Sequence, residues 1–141
     1  MNKQSATEIL KKHMQRITEK RVVLLQFLMK HSKAYTLSEI EKNLSITMDR
    51  VTVYRTLQTF EIAGLITKLV DQRGVCMYMF NFEKHEGLSM HPHLHCSDCD
   101  EIVCLPCLPI EYLEKLKNYE IDDMYFLLNG KCKSCSNNDE N

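Results

Sequence analysis

The sequence predicts an α+β chain in two parts: a helical module closed by a β-hairpin, then a small α/β module built around metal. Three observations predict it. Capped segments with helical apolar spacing fill residues 5–64. Two short β-rich runs flank a turn at 71–74. A ligand run, His91-Pro92-His93-Leu94-His95-Cys96-Ser97-Asp98-Cys99, is answered by Cys132-Lys133-Ser134-Cys135.

Ser5-Ala6-Thr7-Glu8 has the form of a capping box and should open a first helix running to about Met14. Thr18 can cap a second helix, with Val22, Leu25, Leu28 and Met29 at helical spacing. Thr36-Leu37-Ser38-Glu39 is another capping box, opening a short third helix with Ile40 and Leu44 inward. Thr47 can cap a fourth that runs through Met48 to Ala63 and closes at Gly64. Ser45-Ile46 joins the last two, as in a helix-turn-helix.

On the fourth helix Val53, Leu57 and Phe60 form an inward stripe, while Thr52, Arg55 and Thr59 share another face with Arg50 and Gln58 beside them. Hydroxyls and a guanidinium so placed can reach base edges and phosphates. Residues 65–70 and 75–80 read as strands around Asp71-Gln72-Arg73-Gly74, the wing of a winged helix, with Lys68 and Arg73 facing a phosphate backbone. Charge agrees with this division. Residues 1–84 carry 14 Lys/Arg against 8 Asp/Glu, and residues 85–141 carry 4 against 11. The basic half points to a polyanion, double-stranded DNA, and the acidic half to cations or solvation.

The expected boundaries are 1–82 for the winged domain, 83–90 for a hinge, 91–135 for the metal-binding domain and 136–141 for a disordered tail. Within the second domain His91 to Cys96 should be extended, Glu101 to Leu105 a strand, Ile110 to Asn118 a helix and Met124 to Leu128 a third strand. No apolar run is long enough to span a bilayer and the first residues lack a secretory core, so the expectation is a cytoplasmic protein without membrane contact. In a reducing compartment, paired thiols among seven cysteines read as metal ligands rather than disulfides.

Two Cys-x-x-Cys pairs can give four thiolates to one tetrahedral zinc. Cys104 and Cys107 compete for the assignment. An extended Asp100–Cys104 segment, however, separates Cys99 from Cys104 by roughly 16 Å, too far for Zn–S bonds of about 2.3 Å. Cys96, Cys99, Cys132 and Cys135 are therefore the expected structural site. Strand alternation puts His91, His93 and His95 on one face and Cys96 on the other, which leaves the histidines free for a second metal.

Arg16-Ile17-Thr18-Glu19-Lys20-Arg21, Val51-Thr52-Val53-Tyr54-Arg55-Thr56-Leu57, the His-x-His-Leu-x-Cys-x-x-Cys run and Gly130-Lys131-Cys132-x-x-Cys135 occur in an order that resembles the ferric uptake regulator family, its zinc-uptake branch included, over roughly residues 8–135. The resemblance implies a homodimer with a winged-helix DNA-binding domain, an α/β dimerisation domain and metal-dependent repression of transcription. It implies that Tyr54 and Arg55 are the recognition-helix pair, that two Cys pairs hold the structural zinc, and that His91 and His93 ligate a sensing metal.

Departures from the family pattern matter. Cys104 stands where a carboxylate is usual, Asn81 replaces another carboxylate in the strand after the wing, and Ala34 stands where a histidine is expected, with His31 nearby in the second helix. Thiolate and imidazole together favour Zn²⁺ over Fe²⁺ or Mn²⁺ as the regulatory ion. Glu83, His85, His95, Glu111, Cys76 and Cys107 are reserve ligands. The expected function is a zinc-responsive repressor, with an iron- or peroxide-responsive regulator or a zinc-ribbon adaptor as alternatives. An enzyme is not expected, since no His-Glu-x-x-His, glycine-rich phosphate loop or triad is present.

Overall fold

The computed structural model of the protein describes residues 5–82 and 91–138. The chain divides into two compact units, Met1–Phe82 and Glu83–Asn141. Among the described residues, no helix is long and apolar enough to cross a membrane.

In the first unit, α1 (Ala6–Lys12) is opened by the Ser5/Glu8 capping box, each arm 3.2 Å long. It stops two residues short of Met14. The Gln15 amide donates back to the Leu10 carbonyl at 2.8 Å, and the Met14 amide to Lys11 at 3.1 Å. This reversal puts Met14 at φ +54°, a conformation that usually calls for glycine. Thr18 caps α2 (Glu19–Met29), so His31 lies in the bend beyond the helix and not within it. A second capping box, Thr36/Glu39, opens α3 (Leu37–Asn43).

The fourth helix, α4 (Arg50–Ile62), is capped by Asp49 and not by Thr47. The Asp49 carboxylate accepts from the Thr52 amide at 3.1 Å and also from the Thr52 hydroxyl. An ionised carboxylate is the stronger acceptor at the positive end of a helix, which decides between the two caps. Those bonds hold the Asp49 carboxyl below its ordinary range, the Thr52 hydroxyl contributing most. At the far end Gly64, with φ +78°, turns the chain so that the Leu65 amide reaches the Phe60 carbonyl at 2.9 Å.

Strands β1 (Ile66–Val70) and β2 (Cys76–Phe80) pair antiparallel, Ile66 opposite Phe80 and Val70 opposite Cys76. Tyr35 adds a short bridge to Tyr78, 2.9 and 2.8 Å, tying the segment before α3 to the wing. Leu10, Leu24, Leu25, Leu28, Ile40, Val53, Leu57 and Phe60 are wholly buried and form the core. The expected α4 stripe is thus inward. On α2, Leu24 joins Leu25 and Leu28, while Val22 and Met29 are half-buried at the margin.

The second unit is a three-stranded sheet in the order β4-β3-β5. β3 (His93–Cys96) is central, β4 (Ile102–Cys104) runs antiparallel to it and β5 (Leu127–Gly130) parallel. A parallel return needs a crossover, and α5 (Ile110–Leu116) lies in it. The final strand begins at Leu127, three residues later than expected, because pairing with β3 fixes its register. Ser136–Asn138, expected in a disordered tail, instead complete α6 (Lys133–Asn138). The expected hinge, 83–90, and residues 139–141 lie outside the described residues.

Candidate metal centres and nucleic-acid interface

The parallel register sets Cys96 opposite Gly130, two residues before Cys132, so the end of β3 and the exit of β5 converge. The Ser97 amide and hydroxyl both donate to the Gly130 carbonyl, 2.8 and 3.1 Å, locking that convergence. Between Cys96 and Glu101 the chain makes a tight loop. The Cys96 amide donates to the Glu101 carbonyl and the Asp100 amide to the Cys96 carbonyl, both at 3.0 Å, with Asp100 at φ +64°.

The sulfurs of Cys96, Cys99, Cys132 and Cys135 lie within 4.8 Å of one another, Cys99 and Cys132 at 3.9 Å. Four sulfurs bound tetrahedrally at about 2.3 Å stand roughly 3.8 Å apart, so this donor set fits a closed structural zinc. Electrostatics agree. The amide of Cys99 first, then that of Cys132, points at the Cys96 sulfur and pulls its pKa down to about 6. At Cys99 the Glu101 amide favours the thiolate, yet the Cys96 sulfur and desolvation outweigh it and the thiol is raised. Cys135 is pushed up further, first by its hydrogen bond with Cys132, then by desolvation and the other sulfurs. The Cys96 thiolate forms readily, and the raised thiols of Cys99 and Cys135 need a cation among them to ionise.

The second cluster sits at the opposite end of the β3–β4 hairpin. His93 pairs directly with Cys104 across the strands, and Leu105 donates to the Pro92 carbonyl at 2.9 Å. One ligand atom each of His91, His93 and Cys104 falls within 4.8 Å of the others. The two imidazoles stack at 4.6 Å between centroids, and both His91 ring nitrogens are withdrawn from solvent. Two imidazoles and a thiol thus converge, and among the described residues no carboxylate joins them. His95 is not in this group, because its Nε2 meets Asp100 Oδ1 at 2.5 Å, an encounter made by the Asp100 turn.

The outward stripe of α4 carries Val51, Tyr54, Arg55 and Gln58, and Arg50, Glu61 and Ile62 are exposed at its two ends. Thr52 and Thr59, expected on that face, spend their hydroxyls inside the helix, Thr52 on Asp49 and Thr59 on the Arg55 carbonyl at 3.0 Å. The outward stripe is therefore rotated from the expected one: it keeps Arg55 and Gln58, includes Tyr54, and replaces Thr52 and Thr59 with Val51. Gln58 donates to the Tyr54 hydroxyl at 3.1 Å, and Arg50 pairs with Glu41 of α3 at 3.2 Å. In the wing turn Asp71 accepts from the Arg73 and Val75 amides, 2.8 and 2.9 Å, leaving the Arg73 side chain exposed.

Residues 12–126 match the Ferric uptake regulator family. The chain belongs to the ferric uptake regulator family. It is 28% identical to the ferric uptake regulation protein of Vibrio cholerae over 127 residues, 84% of this chain and 81% of that protein. The Francisella tularensis ferric uptake regulator with iron is similar at 32% identity and a TM-score of 0.53, over 86% of this chain and 94% of its own. A zinc uptake regulator complexed with zinc and DNA has a TM-score of 0.71 over 96% of this chain and 93% of its own, and at 16% identity that likeness is one of fold. This ferric uptake regulator family member is a metal-sensing transcription regulator and not an enzyme.

The regulator's remaining candidate ligands are dispersed. Glu111 is exposed on the first turn of α5 and Cys107 is exposed between β4 and α5, both outside the cluster. Pro106 explains the second: the residue before a proline stays extended, so Cys104-Leu105-Pro106-Cys107 resists the turn that would bring its thiols together. Cys76 belongs to the wing strand β2 of the first unit. Glu83 and His85 lie outside the described residues. Asn81 is a clamp: its amide donates to the Leu65 carbonyl and its Nδ2 to Gly64, both at 3.0 Å, while its Oδ1 accepts from Thr67 at 2.5 Å. Sequence reasoning missed that role, because its partners lie 14 to 17 residues away.

Proposed function

We propose that the protein is a homodimeric repressor whose DNA binding is switched by zinc. The observation that carries this is the meeting of His91, His93 and Cys104 on one hairpin. Two imidazoles and a thiolate suit zinc better than manganese or ferrous iron, which favour oxygen donors. When bound there, zinc supplies a fixed positive charge with tetrahedral directionality. Iron is the second reading, favoured by the 32% identical relative solved with iron. The thiol at Cys104 favours zinc over iron.

Cys96, Cys99, Cys132 and Cys135 hold a separate zinc that is structural, since their four sulfurs leave no open position. Tyr54 and Arg55 face the DNA major groove from α4, while Arg73 on the wing turn approaches phosphates and Arg50 braces α4 against α3. Ile110, Tyr112, Tyr119, Ile121 and Leu128 of the second unit are exposed in the single chain and support self-association through that unit. The repressor acts in the cytoplasm, where its operators are. The switch requires the DNA-competent conformer to hold zinc more tightly than the other conformer does.

Competition titrations of zinc and manganese, read out as DNA affinity, test this reading. His93→Ala should abolish metal-activated binding while the four-cysteine zinc stays. Cys104→Ser should weaken the zinc response, and Cys104→Asp should move preference toward manganese. A Cys104→Ser protein that answers zinc like the parent reduces the thiol to packing and makes iron the better assignment.

A further inference from the structure

The outward stripe of α4 begins with a side chain that none of the charge or hydrogen-bond arguments uses. Val51 is the second residue of the helix and 54% exposed, whereas Val53 on the same helix is wholly buried. Val51 precedes Tyr54 by three residues, Arg55 by four and Gln58 by seven, so all four share one face. Both of its neighbours are drawn away from that face, Arg50 toward Glu41 on α3 and Thr52 onto Asp49. Gln58 holds the hydroxyl of Tyr54, fixing the next exposed side chain along. What the stripe offers first is therefore a stiff, β-branched aliphatic group that loses little rotamer freedom on contact.

This argument rests on the reading of α4 as the recognition helix, which the excess of 14 Lys/Arg over 8 Asp/Glu in residues 1–84 supports. The N-terminal residues of such a helix reach base edges in the major groove. Valine has no donor or acceptor to present there. The one apolar feature it complements is the 5-methyl group of thymine. Four residues of helix advance about 6 Å, close to two base-pair steps of about 3.4 Å, so Val51 and Arg55 meet different base pairs. We propose that Val51 is a specificity-determining residue that packs on the methyl group of one thymine in each half-site, about two base pairs from the position met by Arg55.

The test uses the full-length protein with added zinc and a duplex selected by the parent from a random pool. Each thymine of that duplex is replaced in turn by deoxyuridine, which removes only the methyl group, and affinity is read by fluorescence anisotropy. The parent should lose about four-fold per half-site at one position, the size expected for one buried methyl. Val51→Ala should lose a similar factor on the thymine duplex and be indifferent to deoxyuridine at that position. It should keep the parent's affinity for an unrelated duplex, which a misfolded variant would not. A deoxyuridine penalty that persists unchanged in Val51→Ala, or that the parent never shows, overturns the proposal. Arg55→Ala separates the two readings. If it binds the selected duplex like the parent, α4 is not the reading helix and both fail; if it binds weakly while Val51→Ala keeps the penalty, only the methyl contact fails.

Discussion

Eight apolar side chains of the first unit, from Leu10 on α1 to Phe60 on α4, are wholly withdrawn from water, whereas Cys96 is the one such residue described in the second unit. Among the described residues of that unit, only His93 and Ile102 join it in being buried. One half is held by an apolar core gathered from four helices and a hairpin. The other is a three-stranded sheet with too little buried surface to be independent, and each of its two metal-ligating clusters draws on the central strand. Different perturbations should therefore unfold different halves.

The largest effect should come from removing the structural metal. Cys132→Ser, or strong chelation of the parent, should abolish the ordered state of residues 91–138 and with it the dimer, because metal binding and folding are one event in such a unit. Zinc content, oligomeric mass and hydrogen exchange measured together check this. The winged unit should keep its protection throughout, and if both halves lose it together the comparison collapses. Phe60→Ala is the converse probe. It should destabilise the winged unit by about 3–5 kcal/mol, the usual cost of emptying a large core site, and leave zinc content unchanged. Chemical denaturation followed by helix signal and by zinc release should then give separate transitions.

Arg55→Ala sharpens the contrast at the level of function. Its side chain is exposed and outside the core, so stability and metal content should hold while specific DNA binding falls by about 1–3 kcal/mol. Anisotropy against matched and mismatched duplexes measures it. The smallest effect belongs to Asp49. Its folded carboxyl sits below the ordinary range, so the stability it contributes is present above the unfolded pKa of about 4 and is lost as pH falls through the folded value. Asp49→Asn should flatten that acid limb for the winged unit alone, and high salt should shrink the difference, since the group is solvent-exposed.

Features written in neighbouring residues were legible in the sequence. Both capping boxes, the Gly64 stop and the two strands of the wing follow from signals three or four residues apart, and the four cysteines follow from their spacing. Where two local signals competed, the sequence reading took the wrong one, naming Thr47 as the cap of α4 where Asp49 holds that position. Thr47 and Asp49 are both capping residues, and the Thr52 hydroxyl settles the matter for Asp49. Threonine hydroxyls are a related case, since they can fold back onto the helix carbonyl four residues earlier, as Thr59 and Thr56 do here. Counting Thr52 and Thr59 as outward donors rotated the expected DNA face. Non-local partners were invisible altogether. The start of β5 depends on β3, Asn81 depends on Gly64 and Thr67, and His95 is claimed by an aspartate that a left-handed turn presents to it.

Strand β3 carries His93 at its first residue and Cys96 at its last, so a single four-residue segment serves both metal-ligating clusters. On the proposed reading this makes the two metals sequential. The outer ligands can be gathered only after the strand exists, and the strand exists only after four thiolates have captured an ion that does not leave. A newly synthesised copy must therefore mature before it measures anything. In a zinc-starved cell the repressors already made keep reporting, while those emerging from the ribosome are blind until one atom has been spent on each. The response would then carry a memory of the supply at the time of synthesis.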